Sequence, residues 1–364
     1  MDERITETLN QIKGLDSAAL ERAKQHQAKL AKPPGSLGKL EDIAIRLSGI
    51  TGSLHNDIAK RRIIVLCADN GIIEEGVSCT PRSVTAAQAS NMTRSKTGMS
   101  SMAKYFGDDV QVVDVGIADP YNPKDVLNGN IRKGTNNFLK EDAMTRSEAE
   151  EAILLGIKLA KLAKEHRMDA VGVGEMGIGN TSTSSAVLSV LTGIDVSELT
   201  GRGGGLTDEA FLHKKEVLSR AIALRNPDKN DVIDVLSKVG GLDIAAMCGV
   251  YLGCAKERIP VVIDGFISVV AALCAARICP KAKDFMFPSH ESFEPGYMKA
   301  IEELDLKPYF NMGMRLGEGS GCVLSFEIMA AACAMTNDMA LFNEDSNIDD
   351  SYLTEIRKGD KFSV

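Results

Sequence analysis

Two glutamates in this sequence stand between glycines, an arrangement that leaves a carboxylate open to close approach by a substrate. Glu318 lies in the run GEGSG (317–321), and Glu175 lies in the run GEMG (174–177). Glycine has no side chain that could cover the neighbouring carboxylate. Glu318 directly precedes an apolar helical stretch, and the positive end of that helix would favour the charged carboxylate that a general base needs. An acid that only caps the helix fits the pattern of Glu318 equally well.

Two glycine-rich runs are typical of loops that bind phosphate. The first contains Gly177, Gly179, Asn180 and Thr181. Its backbone N–H groups could point at a phosphate where the next helix begins, although a tight strand-to-helix turn also explains these residues. The second run, GRGGG (201–205), permits close backbone approach. Lys214 follows it on a predicted helix and could bind a phosphate, whereas a lysine on a helix is more often simply solvated.

The segment 172–177 also matches the GxGxxG pattern of dinucleotide-binding loops, and Asp195 follows at about the expected distance. Three features disfavour an NAD-dependent oxidoreductase. Glu175 would place a carboxylate where the pyrophosphate should lie. The predicted helix caps, Thr181 and Ser182, come after the glycines, and Asp195 follows a helical stretch instead of a second strand.

The elements that must position these residues alternate along the chain. Short apolar runs predict strands at 62–68, 110–117, 169–173, 259–264, 284–287 and 308–312. Helical patterns lie at 83–105, 147–166, 183–191, 206–224, 231–239, 243–255, 266–279 and 322–339. The alternation predicts an α/β fold with an open, mostly parallel, Rossmann-like sheet and helices on both faces. Because ligands bind beyond the carboxyl ends of such strands, five polar, glycine-containing strand ends predict one shared site.

The two ends of the chain lack strands and predict a small helical domain. We place it at 1–58 with 341–364, which leaves 59–340 as the large α/β catalytic domain. A break at KPPGS (32–36) predicts a helix capped by Ser36, and the polar tail from residue 343 predicts one weak helix.

Composition excludes several classes of function. The 364 residues carry a net charge of −8, which argues against a general nucleic-acid or anionic-membrane binder. The apolar run 266–276 is too short to span a bilayer, and the acidic N-terminus is unlike a signal peptide, so we expect a cytoplasmic protein with no membrane partner. Eight cysteines without a CxxC pair and five histidines without metal spacing predict buried free thiols, no metal and no cofactor.

Several long motifs together carry a family resemblance. They are KPPGSLGKLE (32–41), GEMGIGNTS (174–182), TGRG (200–203), VGGLDIA (239–245), SHESFEPG (289–296) and RLGEGSG (315–321). From about residue 12 to 342, the chain resembles the nicotinate-nucleotide–dimethylbenzimidazole phosphoribosyltransferase family. The resemblance implies transfer of 5-phosphoribose from nicotinate mononucleotide to 5,6-dimethylbenzimidazole. The products would be α-ribazole 5′-phosphate and nicotinate, formed in cobalamin biosynthesis by direct displacement with inversion. It also implies a homodimer.

The resemblance assigns roles residue by residue. Glu318 would be the general base, and Glu175 a second acidic group near the ribose. The benzimidazole pocket would contain Thr80, Gln88 and Leu316. The phosphate and ribose would be held by Gly177, Gly179, Asn180, Thr181, Gly203, Lys214 and Ser292.

Two residues depart from the commonest family pattern. Asn70 stands where His is frequent, and Thr80 stands where Ser is frequent. The extra methyl group of Thr80 leaves the exact accepted base open. The resemblance implies that this base is a benzimidazole, a purine or a phenol. A nucleotide sensor without catalytic activity remains an alternative, although such a sensor would need no base at Glu318.

Overall fold

The computed structural model describes residues 1–121, 125–343, 346, 348 and 350–353. Its residues group into two compact units. The α/β unit contains Met1–Lys13 and Lys60–Leu324, and the helical unit contains Gly14–Ala59 and Ser325–Val364.

The α/β unit is built on one six-stranded sheet. Its strands are β1 (Arg61–Ala68), β2 (Asp109–Gly116), β3 (Leu127–Asn128), β4 (Ala170–Met176), β5 (Val261–Ile263) and β6 (Met286–Pro288). All neighbouring strands are parallel, in the order β3-β2-β1-β4-β5-β6, so the predicted fold class is confirmed. This is the strand order of doubly wound sheets, in which ligands bind where the order reverses, here between β1 and β4.

The helices of the described residues, in chain order, are α1 (Glu3–Gln11), α2 (Ser17–Gln27), α3 (Lys39–Thr51), α4 (Ser83–Met92), α5 (Gly98–Phe106), α6 (Arg146–Glu165), α7 (Asn180–Thr192), α8 (Val196–Leu199), α9 (Asp208–Arg225), α10 (Val232–Val239), α11 (Leu242–Glu257), α12 (Phe266–Ile278), α13 (Pro295–Glu303) and α14 (Ser320–Asp338). Short 3₁₀ turns lie at Gly71–Glu75, Pro280–Phe285 and Ser351–Leu353.

Strand β1 lies at the centre of the sheet, and all eight of its residues are buried. Its apolar run is therefore buried on both faces, as predicted. Its first two residues are arginines, and each forms an ion pair. Arg61 pairs with Asp108 and Arg62 with Asp109, both at 2.6 Å. These pairs allow two cations to enter a buried strand.

Three expectations about local structure are wrong. The predicted helix 83–105 is two helices, because Thr97 and Ser100 form a capping box that starts α5 afresh. Helix α3 begins at Lys39 after Gly38, which has a φ of 48°, and Ser36 does not cap it. The predicted strand 308–312 provides only an isolated bridge from Phe310 to His290.

The sequence patterns missed the short elements β3, α8 and α13, which have too few residues to show a period. The compact units also differ from the predicted domains in their bounds. Met1–Lys13 belongs to the α/β unit, since α1 packs against α6 and α11, and the helical unit includes Ser325–Val364. The domain assignment stays a prediction, and most of the predicted tail helix lies outside the described residues.

The helical unit contains α2, α3 and the part of α14 from Ser325 onwards. Within it, Nε2 of Gln27 donates to Oγ1 of Thr336 at 2.9 Å, and Lys32 pairs with Glu41 at 2.7 Å. By length and composition α14 could cross a membrane, but 61% of its apolar window is buried, as in a core helix.

Helices α6 and α11 pack backbone to backbone at glycines. A Cβ on Gly249 would meet the carbonyl oxygen of Ile153, and it would lie 2.7 Å from that residue's carbonyl carbon. A Cβ on Gly156 would lie 2.6 Å from the backbone nitrogen of Val250. Backbone atoms inside helices cannot move aside easily, so this close packing requires glycine.

We expect Gly249→Ala to destabilise the protein by about 1–3 kcal/mol, because the added methyl group forces the two helices apart. Thermal unfolding of the purified protein would measure this loss. Gly14→Ala is the matched control, since no atom lies within 4 Å of a Cβ at Gly14. Equal melting temperatures for the two variants would contradict the expectation.

Candidate active site

A cavity of about 330 Å³ in the α/β unit is lined by residues that follow β1, β4, β5 and β6. Eleven of the twelve predicted site residues line it: Glu318, Glu175, Thr80, Gln88, Leu316, Gly177, Gly179, Asn180, Thr181, Gly203 and Ser292. The twelfth, Lys214, lies directly behind the wall, with Nζ 3.0 Å from Oγ1 of Thr181. The structure thus brings together residues that are up to 238 positions apart in sequence, since the set runs from Thr80 to Glu318.

One end of the cavity carries a buried ammonium group. Lys214 is only 1% exposed, and its Nζ donates to Thr181 and, at 3.2 Å, to the carbonyl oxygen of Gly201. Burial lowers the pKa of Lys214 to about 8, although Glu294 nearby opposes the shift. An ammonium group has three donors, so one remains for a ligand.

The first turn of α7 lies at the same end of the cavity. This helix begins after Gly179, which has a φ of 96° and caps the helix without a side chain. The predicted capping by Thr181 or Ser182 is therefore wrong. The absence of a side-chain cap leaves the positive end of the helix open towards the cavity. Gly203, with a φ of 53°, lies close by, because a Cβ on it would be 3.2 Å from Oγ1 of Thr181.

Glu175 lies at the end of β4 and is surrounded by other acidic side chains. Asn180 donates from Nδ2 to Oε2 of Glu175 and, at 3.1 Å, to Oδ2 of Asp243. Burial raises the pKa of Glu175 to about 8, and the charges of Asp243 and Asp264 add to the rise. Burial also raises the pKa of Asp243, to about 6. Glu175 is therefore neutral near pH 7 in the free enzyme.

The loop Gly317–Gly319 holds Glu318 in a strained conformation. Glu318 has a φ of 65°, between glycines with φ values of 81° and 91°. Its backbone N–H donates to Oε1 of Glu175 at 3.3 Å, and the N–H groups of Gly319 and Gly321 donate to Asp264 at 2.9 and 2.6 Å. A non-glycine residue in this region costs energy, and such residues concentrate at functional sites.

Glu318 as a whole residue is 4% exposed. Its Oε1 accepts a long, 3.5 Å hydrogen bond from Nε2 of Gln88, and among the described residues its Oε2 has no hydrogen-bond partner. Burial raises the pKa of Glu318, while the nearby Thr97 and Met99 offset part of the rise. The net pKa shift is therefore upward, opposite to the direction expected from the helix end, because burial is the largest cause. A raised pKa brings a base closer to neutral pH, where it works best.

The residues predicted for the base pocket line the same cavity as this carboxylate. Thr80, Gln88 and the half-exposed Leu316 line the cavity together, whereas Asn70 is buried outside it. Of the two family departures, only Thr80 can therefore contact a ligand here. His290 is also fully buried, with Nδ1 3.0 Å from Oγ of Ser289, and it lies outside the lining.

The GxGxxG match does not form a dinucleotide loop. Its first two glycines, Gly172 and Gly174, lie inside β4. Gly174 is needed because a Cβ there would lie 2.7 Å from the carbonyl carbon of Glu318. The helix opens only at Asn180, beyond the motif. The interpretation as an NAD site therefore fails on geometry.

Four residues that organise the cavity had no role in the sequence analysis. Asp264 and Asp243 act through hydrogen bonds to the loop of Glu318 and to Asn180. Glu294 and Arg315 line the wall itself. Asp264 follows β5 directly, and Arg315 stands in the same motif as Glu318, so both had a visible signal in the sequence.

Seven of the eight cysteines are buried free thiols, as predicted. Cys79 is the exception, since it is exposed between two residues that line the cavity, Ser78 and Thr80.

The doubly wound sheet and a cavity with a cationic end and an acidic end define an α/β enzyme suited to a phosphorylated ligand. A family model described as phosphoribosyltransferase matches residues 12–346. The chain belongs to the nicotinate-nucleotide–dimethylbenzimidazole phosphoribosyltransferase family, and it is a pentosyltransferase.

Two curated proteins of that name and one solved structure are similar over nearly the whole chain. The enzyme of Clostridium perfringens (strain ATCC 13124) is 50% identical over 360 residues, 99% of each chain. The enzyme of Clostridium tetani is 47% identical over 354 residues, 97% of this chain and 98% of its own. The crystal structure of CobT from Thermus thermophilus matches with a TM-score of 0.86 and 33% identity, covering 90% of this chain and 98% of that one.

Proposed function

We propose that this enzyme transfers the 5-phosphoribosyl group of nicotinate mononucleotide to 5,6-dimethylbenzimidazole or a related base, in cobalamin biosynthesis. The products are α-ribazole 5′-phosphate and nicotinate. The observation that carries the proposal is one cavity with a buried ammonium and an open helix end on one side, and a buried carboxylate on the other. Relatives that cover almost the whole chain are named for this reaction.

The donor phosphate occupies the end formed by Lys214, Thr181 and Gly203, with Ser292 beside it. Charge-assisted hydrogen bonds to the ammonium group and the open N–H groups of α7 hold a phosphate there. The ribose then lies along Gly177 and Asn180, with C1′ directed towards the acidic end. Fixing both reactants in this way supplies much of the catalysis.

The chemical step needs one base. The unprotonated ring nitrogen of the benzimidazole attacks C1′ as the bond from C1′ to the nicotinate nitrogen breaks, and that bonding pair neutralises the cationic ring. The other nitrogen of the benzimidazole loses its proton to the carboxylate of Glu318, which lines the cavity. Attack from the face opposite nicotinate inverts C1′.

Glu175 responds to the charge of the donor. Before the donor binds, its raised pKa keeps it protonated near neutral pH. A cationic nicotinate ring or a developing oxocarbenium ion nearby lowers a carboxyl pKa. Donor binding therefore favours ionised Glu175, which then steadies the positive charge at C1′.

The direct experiment incubates the protein with nicotinate mononucleotide and several lower-ligand bases together, and separates the products by mass and by the configuration at C1′. Release of nicotinate with an α-configured product supports the proposal. Binding without release of nicotinate favours the nucleotide sensor instead. Light scattering of the same sample tests the homodimer, which we propose on the family resemblance alone.

We expect a bell-shaped dependence of kcat/KM on pH. Activity rises as Glu318 loses its proton, at a pH above the ordinary carboxyl range because burial raises its pKa. Activity falls again near pH 8, as Lys214 loses the proton that attracts the phosphate. Rates from about pH 5 to about pH 9 would test this. An alkaline limb that persists in Lys214→Met would assign that limb to a group other than Lys214.

A further inference from the structure

The cavity presents a problem of charge, because its wall is mainly acidic while the proposed donor carries two anionic groups. Glu175, Glu294 and Glu318 line the wall, and Arg315 is the single cationic side chain among the described lining residues. Lys214 and the end of α7 can neutralise the phosphate. The carboxylate on the donor's pyridine ring needs a second cation.

Arg315 lines the cavity and can provide this second cation. Its segment runs beside the loop after β6, since the N–H groups of Glu291 and Phe293 donate to the carbonyl oxygens of Phe310 and Met314, at 2.9 and 3.2 Å. The side chain of Arg315 is exposed and makes no hydrogen bond or ion pair with any residue that the structure describes. The charge of Arg315 lowers the pKa of Glu294 and so opposes part of the rise that burial causes. All five guanidinium donors are thus available.

Arg315 lines the same cavity as the predicted base pocket and the proposed base. Its neighbour Leu316 lines the predicted base pocket, and Glu318 follows three residues later. Lys214 cannot serve both anions, because it is buried and held between Thr181 and Gly201.

The other possible anion holder is the start of α12, where Gly265 and Phe266 also line the cavity. The buried carboxylate of Asp264 immediately precedes that helix and opposes a second anion there.

Resting on the proposed function, we propose that Arg315 binds the ring carboxylate of the donor and so selects nicotinate mononucleotide over nicotinamide mononucleotide. A guanidinium group matches a carboxylate through two parallel hydrogen bonds, and a neutral carboxamide cannot replace that pairing. The same contact binds the carboxylate of nicotinate as it leaves. Arg315 is a specificity residue, and no proton moves through it.

The test compares kcat/KM for the two nucleotides in the wild-type enzyme, Arg315→Met and Arg315→Lys. Arg315→Met is expected to lower kcat/KM for nicotinate mononucleotide by about 10- to 100-fold, the loss for a hydrogen bond to a charged group. The value for nicotinamide mononucleotide should change by less than about threefold. Arg315→Lys keeps the charge but loses the planar pairing, so it should recover only part of the preference.

A binding measurement supplies a second readout. Free nicotinate should inhibit Arg315→Met more weakly than wild type, whereas inhibition by nicotinamide should be equal. Arg220→Met, which removes an exposed arginine of α9 outside the cavity lining, is the matched control and should behave as wild type.

The outcomes separate this inference from the proposed function. Equal losses of kcat/KM for both nucleotides in Arg315→Met would overturn the assignment, because they would show that Arg315 binds the phosphate or supports the structure. An unchanged preference would also overturn it and place the carboxylate at the start of α12. A protein that transfers ribose from neither nucleotide to any base would refute the proposed function itself.

Discussion

Glu318→Gln is expected to lower kcat by about 10²- to 10⁴-fold, the usual contribution of a positioned general base. Glutamine has nearly the same shape and can still accept the hydrogen bond from Gln88, but it cannot take the proton of the attacking base. The positive φ of Glu318 is unchanged by this substitution, so the loop should keep its conformation. Steady-state turnover with benzimidazole as acceptor measures the loss.

Glu291→Gln is the matched control for this variant, because Glu291 lies on the loop after β6 but outside the cavity lining. The melting temperature of Glu318→Gln should be unchanged or slightly raised, since burial of a neutral amide costs less free energy than burial of a carboxylate. A well-folded Glu318→Gln enzyme with wild-type turnover would exclude Glu318 as the base.

Lys214→Met is expected to raise KM for nicotinate mononucleotide by about 10- to 100-fold, because the donor phosphate loses its charge-assisted hydrogen bond. Methionine fills a similar volume, and the ammonium is buried, so removal of the charge should not unfold the protein. The informative comparison uses nicotinate riboside, which lacks the phosphate. Its weak turnover should be the same in Lys214→Met and wild type.

Lys215→Met provides the control for this second variant. Lys215 is the next residue on α9, and its Nζ lies 4.4 Å from the ring centroid of Phe211. It should bind the nucleotide as wild type does. If Lys214→Met impaired the riboside and the nucleotide equally, Lys214 would be a structural residue without a role in phosphate binding.

Sequence patterns predicted the sheet well because its central strand is unambiguous. The continuous apolar run of β1 predicts a strand buried on both faces, and the turn that follows it marks the carboxyl end of that strand. The same reasoning merged α4 and α5, because the residues around the capping box of Thr97 have no composition that differs from a helix surface. Hydrophobic periodicity cannot detect a helix boundary that depends only on the hydroxyl groups of Thr97 and Ser100.

The candidate site was predictable as a set of residues but not as an electrostatic environment. The motif around Glu318 indicated an accessible carboxylate, and helix geometry alone suggested a charged one. Burial raises the pKa of Glu318 instead. This burial depends on residues far apart in the chain, since Gln88 and Glu175 both contact Glu318. No single-sequence pattern contains that information.

The glycines illustrate the same limit. Gly177 looked like a phosphate-binding residue, yet a Cβ there would meet the carbonyl oxygen of Ala68 and lie 2.9 Å from Oδ2 of Asp243. Packing therefore requires glycine at this position, whatever ligand the cavity takes. At Gly203, by contrast, the nearest atoms to a Cβ belong to the side chains of Thr181 and Lys214, at 3.2 Å or more. The absence of a side chain there mainly keeps the cationic end open.

The exposed thiol of Cys79 makes this enzyme suitable for optical measurement without engineering. Because the other seven thiols are buried, a maleimide dye added briefly to the native protein should attach at one position. Its sulfur lies 4.0 Å from Oγ1 of Thr80, at the rim of the cavity. A fluorophore there would report the arrival of each substrate in real time, including bases that bind but never react.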